Sequence, residues 1–561
     1  MTSGTNPFRR RTPGSLPRGV SLPVADPPVL FAMPPPEPVA PPNADALFAR
    51  GNAQWQAGER AAAVASYEAA LALRPDHADA RNNLGNALLE LGRAAEAVAH
   101  YRTALVLRPR HAPTLYNLGN ALLASGDAGA AVDPLRDALA LDPDHAGAHN
   151  NLGNALRALG RIAEAEACYR HAVRLRPGMA GSHNNLGAAL LAQHRPAEAA
   201  GSLLEALRLQ PDYAEACNNL GGAMLALDRP EEAIGLFRRA VALDADLPQA
   251  DFGEAMALLT LGRLTEGWAA YESRWRDPAF CADERSYPVK LWLNRPGESL
   301  AGQTIVLHAE QGLGDTIQFV RYAPLVRALG AHVVLEAQAP LLPLLGGLAD
   351  TLIASGAELP PCGWHCPLMS LPLAFGTDLA TIPGGITYLG VPVASRVAWA
   401  RRLGPRRRLR VGIAFSGSPE HPEDALRSIP AALLLPLLAR PDAEFHVVQK
   451  DIRPADAEAL RMAQGVRSHA ERLRDFGETA GLLAQMDLLI SADTSVAHLA
   501  GALGLPVWIM LQFSADFRWL RGRRDSPWYP TARLFRQGAE RRWEPVLAQV
   551  AEALRDFRPA R

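Results

Sequence analysis

"NNLGNALLELGRAAEAVAHYRTALVLRPRHAPTL" (Asn82–Leu115) is one period of a pattern that fills much of the first half of this 561-residue chain. Pro75, Pro109, Pro143, Pro177 and Pro211 stand 34 residues apart, and Gly51, Gly85, Gly119, Gly153, Gly187 and Gly221 keep the same interval. Two alanine columns do likewise, one from Ala63 to Ala233 and one from Ala70 to Ala240. Tyr67, Tyr101, Tyr169, Phe237 and Tyr271 share an aromatic column. Small residues let two helices approach closely, the aromatic fills the space between repeats, and proline ends the second helix of each. A single such unit cannot bury its apolar face, so the units must stack. Seven fit between residues 44 and 281, the seventh degenerate, with Ala245 where proline is expected.

The spacing and composition resemble the tetratricopeptide (TPR) repeat, which implies an α-solenoid superhelix with a concave surface. Asn83, Asn117, Asn151, Asn185 and Asn219 each precede the Leu-Gly of a first helix, on the concave side. Asparagine is a mediocre helix former, so five in register need a reason. One reading is a ladder of carboxamides that donate to and accept from the backbone of an extended peptide. The other is bonding between neighbouring helices. The column resembles the asparagine ladder in the repeat domain of nucleocytoplasmic O-GlcNAc transferases, which implies a peptide groove and a protein partner.

On either side of the repeats the composition changes. Residues 1–43 hold twelve prolines and no helical period, so the expectation is a disordered, polyproline-like tail. Past residue 285, short apolar runs alternate with helical stretches: TIVL (304–307), HVVLEA (332–337), RVGIAF (410–415), EFHVV (444–448), DLLIS (487–491) and PVWIML (506–511). Runs of this kind read as buried parallel strands of an α/β module. The six-arginine run "RRLGPRRRLR" (401–410) reads as a linker between two Rossmann-like halves, 286–395 and 396–561. A last helix over about 543–557 is expected to pack back across their junction.

Three turns carry groups suited to chemistry. In "HAEQGLGDTIQF" (308–319), Gly312 and Gly314 permit a tight turn, and Asp315 stands at the carboxyl end of a strand, where open α/β sheets bind ligands. Asp315 reads equally as the cap of the following helix. In "ISADTSVAHLAGALG" (490–504), Thr494 and Ser495 open a helix whose N-terminus suits a diphosphate. Asp493 reads as an acceptor for sugar hydroxyls or as a cap, and His498 as a ligand contact or a core histidine. In "FSGSPEHPEDALRSIP" (415–430), Ser416, Gly417 and Ser418 can cradle phosphate, with Arg427 to neutralise it. Lys450, after the next strand, is a candidate nucleoside contact. The aromatics of "DFRWLRGRRDSPWYP" (516–530) read as a base-stacking surface or as packing.

"GLGDTIQF" together with "DTSVAHLAGALG" resembles glycosyltransferase family 9, the ADP-heptose lipopolysaccharide heptosyltransferases, over residues 300–560. The resemblance implies a GT-B fold, two Rossmann-like halves facing across a cleft, and an inverting, nucleotide-sugar-dependent transferase. It implies Asp315 as catalytic base, a nucleotide-sugar contact at Asp493, Thr494, Ser495 and His498, and Arg427 at the phosphates. The repeats are not part of the ordinary heptosyltransferase. The layout echoes O-GlcNAc transferase, but that enzyme's catalytic motifs are absent, so a GlcNAc donor is not implied.

Other classes find less support. A net charge of −1 offers no footprint for nucleic acid or a membrane surface. Five cysteines and no apolar run of spanning length point to a reducing, cytoplasmic setting. No metal or cofactor is expected. Asp142-Pro143-Asp144 and Asp244-Ala245-Asp246 lie in turns between repeats, and Cys362-Gly363-Trp364-His365-Cys366 lacks a second ligand pair and reads as structural. The alternative to a transferase is a non-catalytic TPR scaffold whose α/β domain is degenerate.

Overall fold

The computed structural model describes residues 43–281, 285–385, 387–421, 423–463 and 465–559; the proline-rich stretch before Asn43 lies outside them. The described residues fall into two compact units that divide between Ala250 and Asp251. The seventh helical pair, expected to close the solenoid, therefore belongs with the α/β unit.

In the first unit, helices of 13 and 14 residues alternate, from Ala44–Gln56 and Arg60–Leu73 to Ala214–Ala226 and Pro230–Leu243. Each of the first five second helices stops two residues before its proline. The intervening caps Arg74, Arg108, Asp142, Arg176 and Gln210 all have φ between −139° and −134° and ψ between 81° and 92°, outside the helical region that a following proline disfavours, and Asp244 before Ala245 holds nearly the same conformation, so proline suits this turn without being its sole cause. Each large residue of the column is seated within its own repeat, and the Tyr67 hydroxyl also reaches Asn83 of the next. A methyl group on Gly153 would lie 2.5 Å from the Tyr169 ring, and one on Gly85 2.6 Å from Tyr101, so each glycine of a first helix seats the large residue of its own second helix. Leu135 and Leu203 fill that place in the repeats without an aromatic.

The turn inside each repeat needs a left-handed residue. Gly58, Gly92, Gly126 and Gly160 supply it at φ 75–84°, but His194 and Asp228 occupy the same place at φ 58°. A side chain there costs about 1–2 kcal/mol, and less for aspartate. His194→Gly is therefore expected to raise stability by about 1 kcal/mol, with a smaller gain for Asp228→Gly, read by chemical denaturation.

The second unit holds two all-parallel sheets. The first contains β1 (Lys290–Leu291), β2 (Thr304–His308), β3 (His332–Ala337), β4 (Thr351–Ala354) and β5 (Trp364–Pro367), in the order β1-β5-β2-β3-β4. The second contains β6 (Leu409–Ala414), β7 (Ala443–Val447), β8 (Val466–Ser468), β9 (Leu488–Ala492), β10 (Val507–Leu511) and β11 (Ala532–Arg536), in the order β11-β10-β9-β6-β7-β8. Strand order reverses at β2/β5 in one sheet and at β6/β9 in the other. At such points the loops leaving the carboxyl ends diverge and open a crevice. The "WHC" of the cysteine motif is part of β5.

One apolar core runs through both sheets, from Ile305 and Leu307 of β2 to Leu489 of β9 and Ile509 of β10. A second core covers the other face of the second sheet. The last helix, Glu544–Asp556, buries Val546, Leu547, Val550 and Leu554 in that second core, so it covers the outer face of its own half instead of crossing the junction. The expected boundary at 395/396 falls within a helix, Val393–Leu403, whose Trp399 donates to Glu478 at 2.8 Å. Part of the arginine run is pinned as well: Arg406 pairs with Asp487, and the buried Arg410 donates to the Leu403 and Gly404 carbonyls.

Candidate functional site

Asp315 is a helix cap and more. Its Oδ2 accepts from the Gly312 N–H at 2.8 Å, closing the first turn of the Leu313–Phe319 helix, while Oδ1 pairs with the Arg518 guanidinium. Burial raises its carboxyl above the ordinary aspartate range, against the pull of Arg518. Arg518 also binds both oxygens of Asp516, at 2.8 and 2.9 Å, and lies over the Phe517 ring. The two glycines serve differently from the expected tight turn. Gly312 has an ordinary extended φ of −69°. Gly314 is required by close approach, because a Cβ there would lie 3.0 Å from His498 Cδ2. The turn after β2 thus packs on the helix Ser495–Ala502 that follows β9.

On that second turn, Asp493 keeps 18% of its side chain exposed, and its Oδ1 lies 3.9 Å from His498 Nε2. Burial, and then the nearby Asp516 charge, push the Asp493 carboxyl up to about 6. The Trp519 indole N–H, and then the cations Arg427 and Arg518, act in the opposite direction. His498 is a core histidine: it is buried, bonded through Nδ1 to the Tyr529 hydroxyl at 2.9 Å, stacked on Trp519, and held neutral by burial and by Arg518. The Thr494 hydroxyl lies 3.3 Å from that of Ser491, and the first amides of the helix face its N-terminus. Ser495 is half-buried at that end.

The turn after β6 differs most from expectation. Its amides are already engaged: Phe415 and Ser416 donate to Gln449 Oε1, and Gly417 donates to Asp424 and Ser428. Ser416 is buried and accepts from Gln449. A side chain on Gly417 would collide with the Arg427 guanidinium, which also meets Asp424. The phosphate cradle is therefore filled by side chains, and Arg427, with 18% exposure, is the group that reaches the rim. Lys450 is exposed beyond β7, beside Asp451, Glu471 and Arg474, and has no bond to the carboxylates above. Trp519, Trp528 and Tyr529 are buried and pack, with Arg321 among Tyr388, Trp528 and Tyr529, so they are not a base-stacking surface.

The asparagine column joins helices. Asn83 donates to Asn52, Asn117 to Asn82, Asn185 to Asn150 and Asn154, and Asn219 to Asn184, at 2.9–3.2 Å; Asn151 reaches the Tyr116 hydroxyl at 3.4 Å. Asn83 and Asn151 are wholly buried, and Asn117 and Asn185 nearly so. Buried carboxamides must be satisfied, and neighbouring helices satisfy these.

Sequence reasoning missed Arg518 and Asp516, which complete the cluster of Asp315, Asp493 and Arg427. Their signal was position: Asp516-Phe517-Arg518-Trp519 follows β10, next to β9 in a parallel sheet, so it shares the rim with Asp493. Buried carboxylates with raised pKa values beside guanidinium groups are equipped for proton transfer and for holding an anion.

Residues 48–112, 116–180 and 184–248 match the tetratricopeptide repeat family. The chain is 30% identical over 326 residues to protein FlbA of Caulobacter vibrioides, with 53% of each chain covered, so it spans about half the length of that relative. Residues 1–248 are less than half of the chain, and the match therefore extends past the repeats. Among solved structures, MamA is 24% identical, covering 29% of this chain and 94% of its own, with a TM-score of 0.27. YrrB, described as a TPR protein with an unusual peptide-binding site, is 22% identical, with 33% and 95% covered and a TM-score of 0.29. A thermophilic TPR protein of Thermus thermophilus is 25% identical, with 32% and 99% covered and a TM-score of 0.28. No helix among the described residues is long and apolar enough to cross a membrane. The 34-residue hairpins of residues 48–248 are tetratricopeptide repeats, an architecture that serves protein or peptide partners.

Proposed function

We propose that residues 251–561 form an inverting, GT-B-type glycosyltransferase that uses a nucleotide-sugar and needs no metal, with the repeats recruiting a protein or glycan acceptor. The observation that carries this reading is the meeting of two turns at the strand-order reversals of two parallel sheets: Asp315 pairs with Arg518, Gly314 packs on His498, and Asp493 lies 3.9 Å from that same His498. Asp315 takes the proton of an acceptor hydroxyl as its oxygen bonds to the anomeric carbon. The bond from that carbon to the diphosphate breaks, and its electron pair leaves with the diphosphate. Arg518 and Arg427, with the Ser495–Ala502 helix N-terminus, stabilise the departing charge. Asp493 accepts from sugar hydroxyls.

A second reading, a scaffold with an inactive α/β unit, draws on the apolar core that continues between the sheets and on the ion pair already made by Asp315. Melting in the presence of ADP, UDP, GDP, CMP and their sugar conjugates separates the two. One nucleotide family at ~100 times its Kd should stabilise the protein by about 2.7 kcal/mol. If none shifts the melting, the scaffold reading replaces the transferase.

A further inference from the structure

The seventh helical pair, Pro248–Thr260 and Leu264–Tyr271, leads into a 3₁₀ turn, Glu272–Arg276, that carries a fully buried cation. Arg274 has no exposed side-chain surface, and Glu310, its partner, has 1%. Their contact is bidentate, at 2.8 and 3.1 Å. The remaining donors of Arg274 reach Glu272 at 2.7 Å, the Tyr271 carbonyl at 3.1 Å and the Ser370 hydroxyl at 2.7 Å. Glu310 also accepts from the Met369 amide at 3.0 Å, so the turns leaving β2 and β5 are tied to one guanidinium. The next residue, Gln311, donates to the Tyr271 hydroxyl at 2.7 Å. Gly312 and Asp315 follow directly. One turn earlier, Trp268 meets Phe319 and Phe517 edge-on at 5.5 and 5.7 Å, touching the helix of Asp315 and the neighbour of Arg518.

A buried ion pair is an expensive way to hold a core, since apolar residues of similar volume do it equally well or better. Its distinctive property is directional: a forked guanidinium fixes a carboxylate in plane and register. We propose that Arg274 and Glu310 are positioning residues, which hold the Gln311–Gly312 turn so that Asp315 meets Arg518. The degenerate seventh repeat is thus a working part of the α/β unit. This rests on the transferase reading for its purpose, but not for its geometry.

The test is hydrogen–deuterium exchange on the full chain. Arg274→Met is combined with Glu310→Gln, so that Glu310, the wholly buried partner, is not left as an unpaired carboxylate. Arg274 itself does not bond residues 516–520, so a change there travels either through Asp315 or through Trp268 on Phe517, and an Asp315→Asn background separates the two routes. Exchange of those amides should rise ~10-fold while β9 and β10 keep their protection. In an Asp315→Asn background the same pair of changes should move 516–520 by less than ~2-fold, because the link is already cut. No acceleration at 516–520, equal acceleration in β9 and β10, or an undiminished effect in Asp315→Asn would each overturn the proposal. Where the parent turns over a nucleotide-sugar, the double variant should lower kcat ~10-fold with KM within ~3-fold and move the acid limb of the pH profile. Absence of turnover in the parent removes the transferase reading and leaves the exchange result decisive for positioning.

Discussion

Asp315→Asn should lower sugar transfer by about 10²–10⁴-fold, the usual worth of a general base, while nucleotide affinity stays within about threefold of the parent, because a base assists the transition state and not the ground state. The amide keeps the shape of the carboxylate and can still accept from the Gly312 N–H, so the helix start survives. It removes the proton acceptor and the ionic contact with Arg518. The pH dependence has a definite sign. A base works when ionised, and the Asp315 carboxyl lies above its ordinary range, so activity should fall on acidification at a higher pH than an exposed aspartate would give. Transfer at the parent rate by the asparagine variant would mean that the base lies elsewhere.

Asp493→Asn should stabilise the fold while weakening sugar-nucleotide binding more than binding of the bare nucleotide. Folding lifts this carboxyl from its ordinary 3.8 to about 6, chiefly by burial and then by the Asp516 charge. A group whose folded value is raised in this way costs stability where it is ionised. Above about pH 6 the native state carries the whole penalty, about 2–3 kcal/mol from the size of the rise. Between pH 6 and 4 the native state binds more protons than the unfolded chain, and the penalty fades. The gain in melting temperature of the asparagine variant should therefore be full at pH 7.5, smaller at pH 5 and gone by about pH 4. An unchanged melting temperature at every pH would show that Asp493 folds with an ordinary carboxyl and would remove its place in the site.

The repeats were legible in sequence because their constraints are local. The Gly85–Tyr101 contact recurs as Gly153–Tyr169, and each Pro lies two residues after a helix end, so one physical rule prints itself every 34 residues. Strands β2, β3, β6, β7, β9 and β10 were legible as continuous apolar runs, which burial on both faces demands. The other five were not. β1, β4, β5 and β8 have two to four residues, too few for a pattern, and β11, "ARLFR", is an edge strand with two charges.

The site was half legible. Asp315 and Asp493 stand where strand ends and helix starts announce them. Arg518 pairs with a residue 203 positions away, a contact set by packing that no local spacing records. The asparagine column shows the converse. Its regularity was plain, but whether a carboxamide faces a groove or a neighbouring helix depends on interhelical separation, which the residue types do not specify.

The Gly314–His498 contact has a kinetic consequence. A backbone turn of one sheet rests against an imidazole of the other, and apolar side chains fill the space behind it. Rotation of one sheet away from the other would break both, so entry to the rim falls to the Arg518 and Arg427 side chains, which exchange one set of oxygens for another. Arg518 is buried and doubly paired, so its exchange is slower than the ps–ns rotation of an exposed side chain, but it needs no hinge motion of a whole sheet. Anionic ligands should accordingly bind in a single concentration-dependent phase slowed by salt, with no separate closing phase in stopped-flow traces.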